Sequence, residues 1–252
     1  MFNPFISVIM PVFNVERYIR EAVDSVVSQT YENWELLIIE DCSSDSTAEI
    51  IRTFRDPRIR ILQNERNRGT SYSRMKGISE SKGDWIAFLD GDDKWDQTKL
   101  EKQVRRMNEI TDPVLLFTGS AFMNDEGKML DYVMEVPETI TYEELLKQNL
   151  ISCSSVLVKK DVIRRYSFPD IHMIHEDFAV WLGILKEVKY AYGVNEPLLI
   201  YRLARNSKSS NKWKAARMNW NTYRYAGVPL LTSIRSMASY TLRGLKKYSR
   251  LK

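Results

Sequence analysis

What most limits the folds open to this chain is an alternation, through its first half, of short apolar runs with amphipathic segments. Residues 7–12 (SVIMPV), 34–39 (WELLII), 59–63, 85–89 (WIAFL) and 114–118 are strand-length and rich in β-branched residues. Between them lie helical patterns over residues 16–28, 47–54, 71–81 and 97–108, the second capped by Ser43, Ser44 or Asp45. Strands apolar on both faces and joined by helices form a mainly parallel sheet with right-handed crossovers. The second half is less regular. It suggests a short helix around residues 141–148, a strand over 154–158, a helix over 177–186, and strand-like pieces at 190–194 and 198–202.

Of the 252 residues, 44% are hydrophobic and 28% charged, which excludes disordered and fibrous classes and supplies a sizeable core. Cys42 and Cys153 are too few for a disulfide framework and not spaced for metal, so a reducing, cytosolic setting is expected. No window reaches the roughly 18 apolar residues of a membrane span. Residues 1–13 lack a basic leader pattern and are interrupted by Pro4 and Pro11, so neither secretion nor spanning is expected.

In an open parallel sheet, ligands bind outside the carboxyl ends of the strands. The first strand runs into Phe13-Asn14, the second into Glu40-Asp41, and the strand at 85–89 into Asp90-Gly91-Asp92-Asp93. Carboxylates gathered on one rim repel each other unless a cation or a donor-rich ligand is bound. A hard divalent ion, Mg2+ or Mn2+, shared with phosphate oxygens answers that repulsion. No Walker loop and no G-x-G-x-x-G is present. The competing reading makes residues 90–93 a polar turn that ends a strand and caps the helix from Gln97. His172 and His175, with Glu176, match no zinc spacing and are assigned no metal.

Six short motifs then occur in one order: PVFN (11–14), EDCSSDST (40–47), Asn67-x-Gly69 to Arg74, FLDGDD (88–93), HEDFAVWL (175–182) and YRLARNSKS (201–209). In that order they resemble the family 2 glycosyltransferases, over residues 6 to about 210. The C-terminal half is most similar to bacterial surface-polysaccharide transferases of the teichuronic-acid, capsule or O-antigen type. The resemblance implies the α/β GT-A nucleotide-sugar fold over residues 1–210. It places Pro11, Phe13 and Asn14 beside the nucleotide of a UDP-sugar, with Asp41 accepting from uracil and Arg74 facing the diphosphate. Asp90 or Asp92 would face the ribose, and Asp92, with Asp93 as the alternative, would hold the metal. Asp177 falls at the catalytic base, with Glu176 as a competing base and Trp181 on the acceptor side. Arg202 and residues 207–209 would close over the diphosphate. Ala204 and Met75 depart from the family pattern, where a third metal ligand and an Asn are common.

The chemistry is coherent. Inversion at an anomeric carbon needs a carboxylate beside the acceptor hydroxyl and a neutralised leaving group. Asp177 supplies the first, and its helix-start position favours the ionised form. Otherwise it merely caps that helix. Asp92 with metal, Arg74 and Arg202 supply the second.

The last acid in the chain is Glu196. The sequence carries a net −9 up to that residue and +13 beyond it. Residues 211–252 therefore form a basic, aromatic, helical tail, with a break at residues 227–229. Ile234, Ala238, Leu242 and Leu245 share one face, while Arg235, Arg243, Lys246, Lys247 and Arg250 add charge. Such a helix suits an anionic membrane surface, placing the protein at the inner face of the bacterial membrane beside a lipid-linked or polysaccharide acceptor. Trp213, Trp220, Tyr223 and Tyr225 fit either core packing or an interfacial belt. Two rival functions are a metal-dependent nucleotidyl or phosphoryl transferase and nucleic-acid binding by the tail. The acidic body and the lack of a nucleic-acid motif argue against the latter, so no nucleic acid is expected.

Overall fold

The computed structural model describes residues 2–171, 173–203 and 212–250, with Lys212 and residues 242–250 described by backbone alone. The motif residues Ala204 to Ser209, His172, and the side chains of Leu242, Arg243, Leu245, Lys246, Lys247 and Arg250 lie outside the described residues. In chain order, β1 (Ile6–Val12) leads to α1 (Ile19–Val27), β2 (Trp34–Glu40) to α2 (Thr47–Ile51), and β3 (Ile59–Gln63) to α3 (Gly69–Glu80). Then β4 (Trp85–Phe88) passes through the two-residue β5 (Lys94–Trp95) to α4 (Lys99–Asn108). β6 (Leu115–Asn124), β7 (Met129–Met134), β8 (Thr139–Ile140) and α5 (Tyr142–Lys147) follow. A 3₁₀ turn at Cys153–Ser155 precedes β9 (Leu157–Lys159), α6 (Lys160–Ile163), α7 (Glu176–Glu187), β10 (Ala191–Leu203), α8 (Lys212–Tyr225) and α9 (Leu230–Arg250).

The strands form one sheet of order β3-β2-β1-β4-β9-β6-β10-β5, with β7 on β6 and β8 on β10. The β1, β2, β3 and β4 pairings are parallel, as is β6 with β10. β9 runs antiparallel between β4 and β6, so the two parallel parts are joined through a reversed strand that the alternation did not foretell. Alternate residues of β1 enter opposite cores. Ile9 joins Leu37, Phe88 and the α7 side, whereas Val8 and Met10 join Leu36, Ile38 and the α1 side. Burial on both faces is the physical source of the unbroken apolar runs.

Several boundaries move for local reasons. The strand expected over 154–158 starts at Leu157, because the preceding serines make other bonds: Ser155 Oγ donates to the Ser152 carbonyl and Ser154 Oγ reaches Asp93. The two pieces at 190–194 and 198–202 are one strand with an irregular register between Val194 and Leu199, around Pro197, which has no N–H to give the ladder. β5 and β8 have two residues each, too short for a periodic signal.

α8 is docked against α5 and α7. Tyr223 is fully buried against Phe178 and its hydroxyl donates to the Leu146 carbonyl, while Thr222 Oγ1 accepts from His175 N. Tyr223 therefore belongs to the core, whereas Trp213 and Tyr225 are exposed. Among the described residues no helix is long and apolar enough to cross a membrane.

Candidate active site

The carboxyl ends of β1 to β4 open on one rim. After β1, Asn14 takes a left-handed conformation (φ 50°), and its Oδ1 accepts from Ser44 N at 2.8 Å. Ser43 Oγ accepts from Asn14 N, so the two loops are laced together beside the half-exposed Phe13. Pro11 is buried inside β1, opposite Ile39, and leads the backbone to that loop.

After β2, Asp41 is buried, and its carboxylate collects three donors. Oδ1 accepts from Asn64 Nδ2 (2.7 Å) and Arg68 N (2.8 Å), and Oδ2 accepts from Gly69 N (2.8 Å). Gly69 starts α3 at φ +82°, a conformation that suits glycine and aims its N–H at the carboxylate. A carboxylate offers about four lone-pair sites, so one on Oδ2 remains for an outside donor. Asn64 follows β3 as Asp41 follows β2, and the carboxyl-end rule that picked Asp41 would also have found it.

Arg74, on α3, is buried beneath the rim. Its Nη2 donates to Asp90 Oδ1 at 2.8 Å, its Nη1 lies 3.6 Å from Glu176 Oε1, and the guanidinium sits 5.4 Å from the Phe168 ring centroid. Its Nε and Nη1 are buried without a hydrogen-bond partner. Buried donors are almost always satisfied, so these two mark a place where a ligand's acceptor oxygens belong.

The Asp90–Asp93 turn presses against β1: a Cβ at Gly91 would come within 3.0 Å of Val12, which is why glycine stands there. Asp93 points away from the rim. Its Oδ1 accepts from Arg202 N (2.9 Å) and its Oδ2 from Ser154 Oγ (2.8 Å), and burial, with Asp92 and Asp90 beside it, pushes its pKa well up. Asp93 as the alternative metal ligand is thus corrected: both its oxygens are engaged inside the protein. Asp92 stays partly exposed on the rim, and burial, with the charge of Asp90, pushes it up to about 6. A carboxylate so penalised gains from a cation. Among the described residues no three His, Cys, Asp or Glu are grouped to hold a metal. The donor set therefore fits an ion that takes Asp92, with Asp90 adjacent, and completes its shell from ligand oxygens and water.

Arg202 is also corrected. It is buried with Nε donating to the Asp92 carbonyl (2.8 Å), Nη2 reaching Glu21 Oε2 (3.2 Å), and the guanidinium over Tyr18. It fixes the back of the aspartate turn, with its guanidinium engaged inside the protein. Ser154 and Glu21, which sequence reasoning missed, share in that fixing; neither carries a local signal, since one lies in an apolar run and the other on an ordinary helix face.

Across the rim, Glu176 and Asp177 open α7. Burial first, then the charge of Glu176, raises Asp177, while Arg74 and His175 pull it down. The raised value corrects the expectation that the helix start alone keeps this carboxylate readily ionised. Trp181, placed on the acceptor side from its sequence position, is fully buried, with Phe168 at 6.1 Å and Phe88 at 6.3 Å. It packs beneath Phe168, which lies under Arg74, and its indole Nε1 is buried without a hydrogen-bond partner.

A rim of strand ends with buried Arg74 beneath it, the partly exposed Asp92 on one side and a carboxylate pair on the other suits group transfer at a sheet's carboxyl edge. The profile described as Glycosyl transferase family 2 matches residues 7–175, and this chain belongs to that family. It is 41% identical over 224 residues to TuaG of Bacillus subtilis (strain 168), provisionally named a teichuronic acid biosynthesis glycosyltransferase, covering 88% of each chain. It is 35% identical over 248 residues to the Escherichia coli UDP-Glc:alpha-D-GlcNAc-diphosphoundecaprenol beta-1,3-glucosyltransferase WfgD, covering 97% of this chain and 95% of that one. S. aureus TarS 1-349 in complex with UDP-GlcNAc superposes with a TM-score of 0.72 at 17% identity, over 94% of this chain and 71% of that one. The Pyrobaculum calidifontis mannosyltransferase PcManGT in complex with GDP-Man and Mn2+ gives 0.69 at 14% identity, over 95% and 69%. The fold is GT-A, and the chain is a glycosyltransferase.

Proposed function

We propose that the chain is a metal-assisted inverting hexosyltransferase that moves glucose or a related sugar from a UDP-sugar to a diphosphoprenyl-linked acceptor in bacterial surface-polysaccharide assembly. The observation that carries this reading is buried Arg74 at the rim, with Nη2 on Asp90 and with Nε and Nη1 lacking a hydrogen-bond partner. The substrates in the E. coli relative's name make UDP-glucose and N-acetylglucosaminyl-diphosphoprenol the first pair to try.

The free lone pair of Asp41 would accept from the uracil ring, with Phe13 and Asn14 beside the base. Asp90 would meet the ribose. A divalent cation, Mn2+ or Mg2+, would supply Lewis-acid neutralisation of the leaving diphosphate, held by Asp92. Arg74 meets the same diphosphate from the other side. Asp177 takes the proton of the acceptor hydroxyl as its oxygen attacks the anomeric carbon and UDP departs. A carboxylate with a raised pKa is the stronger base for that step.

A peripheral membrane position fits the surface of α9. Leu230, Leu231 and Ile234 are 55%, 70% and 52% exposed, while Ser233 and Ser236 on the inward face are 0% and 6%. A helix that buries serines and exposes leucines suits an apolar contact, and the acid-free tail suits an anionic one. Incubation of UDP-glucose with N-acetylglucosaminyl-diphosphoprenol and Mn2+ tests the reading by chromatography. A disaccharide-linked product supports it; release of UDP or UMP without sugar transfer counts against it.

A further inference from the structure

Behind the Phe168 side of the site lies a groove of ≈ 280 Å³ between the segment after α6, one face of α7, and the end of α8. Its walls include Arg165, Ser167, Ala179, Gly183, Lys186 and Tyr225. On α7, Glu176, Val180, Gly183 and Glu187 are spaced to lie on one stripe, so the groove follows the helix face that begins at Glu176, next to Asp177. Gly183 lies six residues past Asp177, about 9 Å along the axis.

We propose that this groove seats the diphosphate of the prenyl-linked acceptor, an inference that rests on the glycosyltransferase reading above. Three observations carry it. First, the polar groups there are donor-rich. Lys186 Nζ spends one N–H on the Ala226 carbonyl, leaving two, and Arg165 pairs on one edge with Glu187 at 3.1 Å. Tyr166 packs against Gly183 with its hydroxyl on the Gly183 carbonyl; its pKa is pushed up to about 12, by burial and by Glu187, so it stays a neutral phenol. Second, the volume is at the low end for ligand sites, enough for a diphosphate and the first carbons of a chain but not for a whole lipid. Third, Tyr225 and Ala226 form one wall, and the chain then passes through Gly227–Pro229 directly to the exposed Leu230 and Leu231. In this assignment the diphosphate would lie beside Arg165 and Lys186, the sugar would extend toward the start of α7, and the prenyl chain would leave past Tyr225 toward that apolar patch.

The test is isothermal titration of farnesyl diphosphate into the full chain saturated with UDP and Mn2+. Comparison is with an Arg165→Gln/Lys186→Gln variant, whose amides can keep the Ala226 contact, and with Ala179→Phe, which fills the groove. The expected result is saturable binding that weakens tenfold or more in both variants, with UDP affinity unchanged. Binding equal in wild type and variants, or competition between farnesyl diphosphate and UDP for one site, would overturn the groove assignment while leaving the glycosyltransferase reading standing. A wild-type chain, shown to be folded, that binds neither UDP nor farnesyl diphosphate would overturn both.

Discussion

Asp93 and Arg202, 109 residues apart, hold each other's strand ends: the Asp93 carboxylate accepts from Arg202 N at 2.9 Å, and Arg202 Nε donates to the carbonyl of Asp92 at 2.8 Å. This exchange sets the aspect of the whole aspartate turn, because it leaves Asp92 alone of the two neighbours facing the rim. Asp93→Ala strands a buried backbone N–H and the Ser154 hydroxyl. We expect a loss of about 2–3 kcal/mol in denaturant unfolding together with weaker metal-dependent UDP binding. Arg202→Ala should act alike. A variant of either residue with unchanged UDP affinity would remove the positioning role.

Asp177 must be deprotonated to accept a proton, and burial with Glu176 raises its pKa. The acid limb of kcat/KM should therefore lie above the ordinary carboxylate range, activity being lost as pH falls through the raised value. Glu176→Gln removes the like charge, lowers Asp177 and should move that limb to lower pH. Asp177→Asn should keep UDP binding and reduce transfer about 10²–10⁴-fold. Substantial transfer by Asp177→Asn would hand the base role to Glu176.

Lys99 is fully buried, with Nζ on Gln103 Oε1 at 2.8 Å and 3.9 Å from the Trp95 ring centroid, and burial lowers its pKa well below 10.5. For a base whose folded value is depressed, the cost of charge is fully present at low pH. It is relieved as pH rises from the lowered value toward 10.5. Thermal melts across that range should show the wild type gaining stability while Lys99→Met stays flat. At neutral pH Lys99→Met should raise Tm by about 2–4 °C, near 1 kcal/mol in a chain of this size. A lower Tm with unchanged pH dependence would contradict the desolvation argument.

Leu231→Asp with Ile234→Asp places two acids on the exposed face of α9 and touches no buried group. Sedimentation with anionic vesicles should lose most of its bound fraction, at unchanged Tm. Equal sedimentation of this variant and the wild type would remove the membrane contact.

Much of the fold was legible because the strands are apolar on both faces: Ile9 and Met10 serve opposite cores, and that demand writes an unbroken run. The start and reversed direction of β9 were not legible, since Ser154 and Ser155 bind the aspartate turn and local carbonyls in place of a ladder. Asp41 and Asp92 were visible as candidates because each follows a strand end, and Asp177 because it opens a helix, whereas Arg74, inside α3, was visible only through the family resemblance. Asp93 and Arg202 were misread because their roles depend on which way adjacent side chains turn, and Glu21, Tyr18 and Ser154, from three other segments, decide that. Trp181 looked like a wall of the site from its place one turn past Asp177, but Phe168 comes between it and Arg74.

The most direct measurement is isothermal titration of UDP into the wild type, Asp92→Ala and Arg74→Gln, each with Mn2+ and with EDTA. Micromolar binding that needs the metal in the wild type is expected. In Asp92→Ala the metal dependence should vanish, and in Arg74→Gln the affinity should fall about tenfold or more. UDP bound equally well by all three proteins, or by none of them when folded, would contradict a diphosphate site built from Arg74 and the aspartate rim.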